Sequence, residues 1–198
     1  MQARTIAIAV MLTSGVARAD RAEPQASAPA GAVAPALMHR PPVPQPVPPG
    51  FVVPPEIAKL GKQLAGRYRC KGVTFNGDGS SRPMTASVSF KLDLGNGWIA
   101  MTLGEDKPGT LRVADYRTFD ATAQQWTRIQ LASTTAHVVS TSLGEKDGTW
   151  TWEGTASAPT ATLQVRDYEQ LAGGSLKMWG EALLSGTWQK RYEVTCTR

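Results

Sequence analysis

The chain has 198 residues, with 21 basic against 16 acidic side chains and a formal net charge of +5. That length suits one domain with extensions. So small a basic excess, scattered singly along the chain, excludes the clustered footprint of a nucleic-acid-binding face. Two cysteines and two histidines without CxxC or clustered His spacing leave no zinc pattern, and neither metal nor cofactor is expected.

Residues 1–19 read as a signal peptide. Arg4 supplies the charge, Ile6 to Leu12 a short apolar run, and Ala17-Arg18-Ala19 a small-x-small cleavage site before Asp20. The run is too short to span a bilayer, and no other segment is apolar enough to cross as a helix. The expected location is the periplasm or outside the cell. Residues 20–55 hold 11 of the 14 prolines and end in RPPVPQPVPPGFVVPP. Such a segment cannot bury enough apolar surface to fold and is expected to be an extended, semi-rigid linker. It either spaces the domain from an envelope partner or is a spacer with no partner.

The domain is expected over residues 56–198. Glu56-Ile57 opens a short helix after two prolines, Ile57, Leu60 and Leu64 share one face, and Gly66 stops it. About two turns cannot stand alone, so the helix is expected to cap one end of the β-rich remainder of the domain. After Gly66 the apolar period is two. Met84, Ala86, Val88, Phe90 and Leu92 point one way, and Thr85, Ser87, Ser89, Lys91 and Asp93 the other. Asn96-Gly97 predicts a two-residue hairpin turn, which pairs Gly95 with Trp98, Leu92 with Met101 and Phe90 with Leu103. Further strands are predicted at 67–75, 111–119, 126–132, 136–143, 149–154, 161–168, 175–184 and 187–197. Even spacing and short Gly, Asp and Asn turns favour an all-β, up-and-down antiparallel meander, either a closed barrel of about eight to ten strands, which is the expected fold, or a sandwich. In RYRCK at 67–71 the basic residues alternate along a strand and read as a solvated face. Gly77-Asp78-Gly79 reads as a turn. Val113-Ala-Asp115-Tyr116 and Val165-Arg-Asp167-Tyr168 share V-x-D-Y, each followed by a tryptophan, Trp126 and Trp179. They mark either two equivalent hairpins or a coincidence of four positions.

LGKQLAGRYRCKG at 60–72, YRTFDATAQQWTRIQL at 116–131 and GTWTWEG at 148–154 resemble a bacterial family with a lipocalin-like, calycin-type barrel. The resemblance covers roughly residues 57–198 and departs from the family at Tyr68, where calycins carry Gly-x-Trp. It implies the barrel and a binding role, with no agreed chemistry to transfer. A haem-binding relative uses an axial histidine near the C-terminus. Here the domain has only His137, so haem is not expected.

Trp188, Lys190, Tyr192, Val194 and Cys196 share one phase, as do Leu163, Val165 and Asp167, and Leu111, Val113 and Asp115. These phases are predicted to face inward. Lys190 with Asp115 or Asp167 then forms a polar spot inside an apolar barrel, where an unpaired charge would be costly. The spot is either a structural ion pair or wet mouth, or a group fixing the head of a ligand. Arg128 and Trp188 join the candidate ligand-binding set, although the phase of Arg128 is ambiguous. No catalytic constellation is visible.

Cys70 shares a face with Tyr68, and Cys196 with Val194 and Tyr192. In a closed barrel with an even strand count the first and last strands meet antiparallel. Cys70 then opposes Cys196, Gly72 opposes Val194 and Thr74 opposes Tyr192, and opposite residues are close enough for a disulfide. The alternative is two reduced buried thiols. Three functions remain open: a binding module for a small, largely apolar ligand, an envelope structural or interaction protein with a filled barrel, and an enzyme of unknown reaction in the cavity.

Overall fold

The computed structural model describes residues 52–107 and 111–198. The predicted signal peptide and nearly all of the predicted linker lie outside the described residues. Helix α1 (Pro55–Leu64) is followed by β1 (Gly66–Phe75), β2 (Ser81–Asp93), β3 (Trp98–Glu105), β4 (Arg112–Asp120), β5 (Gln125–Ala132) and β6 (His137–Ser142). A two-residue β7 (Glu145–Lys146) leads to β8 (Thr149–Ala158), β9 (Ala161–Ala172), β10 (Ser175–Leu184) and β11 (Thr187–Thr197). Sequential strands pair antiparallel, apart from β6 and β7. β6 pairs instead with β8, and β1 with β11, so ten strands close into a barrel with β7 appended to β8. Among the described residues no helix is long and apolar enough to cross a membrane.

Closure depends on two seams. At β1–β11 Cys70 opposes Cys196, Gly72 opposes Val194 and Thr74 opposes Tyr192, the expected register. The Cys70–Cys196 disulfide is formed, inside the barrel. At β6–β8 the backbone of Val139 and Ser140 comes so close to Gly154 that a Cβ there would lie 2.1 Å from the Val139 carbonyl oxygen.

Helix α1 starts on Pro55, where a missing N–H costs nothing, and buries Ile57, Leu60, Gly61 and Leu64. It caps the end formed by the 94–97 hairpin, with Gly61 against Leu92 and Ile99. The Tyr68 hydroxyl donates to the Leu64 carbonyl at 2.9 Å, fixing the step from helix to first strand. Under the helix lies the larger apolar cluster, with Tyr68, Phe90, Phe119, Trp126 and Trp152. Phe119, Trp126, Trp150 and Trp152 form a continuous aromatic chain with centroid steps of 5.3, 5.2 and 5.8 Å. A smaller cluster of Val138, Ala156, Val165 and Ala182 lies toward the opposite end.

One hairpin corrects the sequence reading. Asp93 pairs with Trp98, Leu92 with Ile99 and Phe90 with Met101, so the turn spans four residues, not two. Leu94, Gly95 and Asn96 all take left-handed φ, and the Asp93 carboxylate accepts the Leu94 N–H at 2.9 Å. The slip is by an even number of residues, so every predicted inward residue of β2 stays inward. Trp98 lies across from Asp93, not over Gly95. In the 67–71 run Arg67, Arg69 and Lys71 are exposed while Tyr68 and Cys70 are buried. Asp78 accepts the backbone N–H of Ser80 at 2.9 Å, as a turn residue does.

Candidate functional site

The two-residue alternation of β4, β5 and β9 runs on through charged residues. On β4 the inward positions are Val113, Asp115, Arg117 and Phe119; on β5, Trp126, Arg128 and Gln130; on β9, Val165, Asp167, Glu169 and Leu171. Five charged side chains therefore meet inside the barrel. Arg117 donates from Nε to Asp115 at 2.8 Å and from its two terminal nitrogens to Glu169 at 2.6 and 2.9 Å. β4 and β9 are not sheet neighbours, so this bidentate pair crosses the lumen. Arg128 donates to Ser140 at 3.0 Å, to Asp167, and to Glu169 at 3.5 Å. Gln130 donates to Asp115 at 3.0 Å and the Tyr192 hydroxyl to Asp167 at 2.9 Å. Both guanidinium groups also lie against aromatic rings: Arg117 is 5.4 Å from Phe90 and 5.3 Å from Trp152, and Arg128 is 4.8 Å from Trp152.

Burial by itself would lower the pKa of each arginine, but the neighbouring carboxylates outweigh it and both end above the ordinary value. Both stay cationic, and the planar fork of arginine meets two carboxylates at once, which a compact ammonium matches poorly. Gly180 makes room for the Tyr192–Asp167 bond: a Cβ there would fall 2.3 Å from the Tyr192 ring and 2.5 Å from the Asp167 carboxylate.

The phenol of Tyr192 is raised well above its ordinary pKa, first by burial and then by Asp167. A group raised on folding contributes stability that is complete below its unfolded pKa of about 10 and lost as pH rises through the folded value. Wild-type stability is therefore expected to fall faster above about pH 10 than that of Tyr192→Phe. Urea midpoints across that range check this, and parallel pH profiles would contradict it.

Above the ionic layer, away from α1, a cavity of about 80 Å³ remains. Its floor is Arg117, Arg128, Asp167, Glu169 and Tyr192. Its wall is mostly apolar, with Leu103, Val113, Val138, Leu163, Val165 and Ala182, and His137 stands at the rim. A second, roomier hollow of about 240 Å³ lies at the α1 end, bounded by Gln63, Leu64, Glu145, Trp150 and Arg198. Two of its polar groups are already engaged: Arg198 donates to the Gln63 carbonyl and Tyr68 hydroxyl, and Glu169 accepts from Arg117. The smaller cavity combines an apolar wall with converging polar groups and is the better candidate site.

The structure brings Asp115, Asp167 and Arg128 together, but not Lys190 or Trp188. Lys190 is exposed on the outer face, 2.8 Å from Glu193, and Trp188 lies outside beneath the Arg166 guanidinium at 3.9 Å. The cause is a β-bulge. Gly180 pairs with Tyr192 and Glu181 with Lys190, so Arg191 has no cross-strand partner and the phase of β11 reverses there. The partners of the two aspartates are Arg117 and Arg128. Arg117 and Glu169 were readable, each one alternation beyond the aspartate already identified. The V-x-D-Y repeat places both aspartates inward, but its tryptophans diverge: Trp126 is buried inside, whereas Trp179 stacks outside on Tyr168 at 5.1 Å.

No family model matches the chain, and no curated protein matches it. Among solved structures, the crystal structure of Rv2717c from M. tuberculosis aligns with a TM-score of 0.56 at 14% sequence identity, over 74% of this chain and 99% of that one. At that identity the likeness is one of fold: the chain is a closed ten-stranded antiparallel barrel similar to that mycobacterial protein.

Proposed function

We propose that the protein is an exported, lipocalin-like binding module that takes a small, largely apolar molecule into the cavity above the ionic layer. The observation that carries the reading is the contrast between the two ends of the barrel. The hollow at the α1 end is edged as much by polar as by apolar groups, whereas the cavity at the other end sets a mostly aliphatic wall over a polar floor. An apolar cavity of about 150 Å³ accepts a benzene ring. The 80 Å³ here suits a slim chain of a few carbons whose end leaves at the rim. Export is supported by the signal-like first 19 residues and by a disulfide, which persists in oxidising compartments.

The test is untargeted mass spectrometry of small molecules retained by the purified protein, with Leu163→Trp as the plugged control. A retained apolar compound lost from Leu163→Trp, on a chain whose intact mass begins at Asp20, is the expected result. Equal retention by both proteins would reject the cavity, and a full-length chain with Met1 in place would reject export. The small volume favours one second reading, an envelope structural protein with a filled barrel on a proline-rich tether, because ligand pockets usually exceed about 300 Å³. Wild type and Leu163→Trp both free of retained compounds would favour it.

A further inference from the structure

Arg191 stands apart from the other interior arginines. As the extra residue of the β11 bulge it has no partner on β10, and its side chain lines the cavity, one residue before Tyr192 of the floor. Its Nη1 is enclosed yet has no hydrogen-bond partner. The carboxylates around the cavity are already engaged: Asp167 by Arg128 and Tyr192, Glu169 by Arg117, and Glu181 by Tyr168. Burial lowers the pKa of Arg191 with no carboxylate to oppose the shift, in contrast to Arg117 and Arg128. Even so lowered, a guanidinium stays protonated at neutral pH. A buried donor on a charged group is costly to leave unmade. A bulge also serves to re-aim a side chain at a site.

We infer that Arg191 is the docking group for an anionic head, and that the ligand is a short aliphatic monocarboxylate bound head-down on the floor with its chain along Val165, Leu163 and Val138. The inference rests on the binding reading above and adds the chemical class of the ligand. A carboxylate accepts two parallel N–H bonds from one guanidinium, which supplies the missing partner of Nη1. An alcohol offers one weaker acceptor, and an ammonium head offers Nη1 no acceptor at all.

The experiment is calorimetric titration of the full mature chain with hexanoate, hexanol and hexylamine, repeated on Arg191→Gln and Arg191→Lys. Hexanoate is expected to bind at least about tenfold tighter than hexanol, the size of one charge-assisted hydrogen bond. Arg191→Gln should erase that preference, bringing the affinities for hexanoate and hexanol together, and Arg191→Lys should keep part of it. The comparison of the three heads on the wild type stands even if a variant folds poorly. Equal binding of hexanoate and hexanol, or preference for hexylamine, would overturn the anion site while leaving the apolar cavity in place. Binding of none of the three would overturn both.

Discussion

Reduction of the Cys70–Cys196 bridge is expected to lower the melting temperature by roughly 15 °C or more. The two cysteines are 126 residues apart, and the bond joins the first strand of the barrel to the last. In the chain-entropy account a loop of that length contributes about 5 kcal/mol by restricting the unfolded chain. A domain of this size is stable by only about 5–15 kcal/mol, so the bridge is a large share of the total. Cys70→Ser should show a similar loss without reductant. Melting curves that coincide with and without reductant, once thiol titration confirms that the bond is broken, would contradict this. The β1–β11 hydrogen bonds would then close the barrel unaided.

Arg117→Leu is expected to cost about 3–5 kcal/mol, because it leaves Asp115 and Glu169 buried with only Arg128 between them. Removing the opposite partner as well, in Arg117→Leu/Glu169→Leu, should recover part of the loss, since a buried pair replaced together is far cheaper than one charge left alone. Urea unfolding of the single and double variants measures the difference. A single-variant cost below about 1 kcal/mol would mean that water reaches the carboxylates and that the layer is not sealed.

Much of this architecture was legible in the sequence. The alternation of β2 and the even strand spacing point to an antiparallel meander, closure of that meander sets Cys70 opposite Cys196, and Ile57, Leu60 and Leu64 mark the helical cap. Two features were not legible, both for reasons of backbone geometry. Asn96-Gly97 suggested a tight turn, but Leu94 and Gly95 also take left-handed φ and lengthen it, a choice no hydrophobic pattern records. The bulge at Arg191 falls in Gln189-Lys190-Arg191-Tyr192-Glu193, a polar stretch where no apolar pattern marks the break, so the alternation carried back from Cys196 and Val194 puts Lys190 and Trp188 on the wrong face. The same absence of pattern hid Arg191.

The most direct measurement for the central proposal, that an apolar chain enters the cavity over the ionic layer and not the hollow at the α1 end, is a methyl NMR titration with hexanol. The resonances of Val138, Leu163 and Val165 around the cavity are expected to shift, while those of Ile57 and Leu60 on α1 and Leu92 beneath it stay in place. Shifts confined to the α1 end, or none at saturating hexanol, would contradict it.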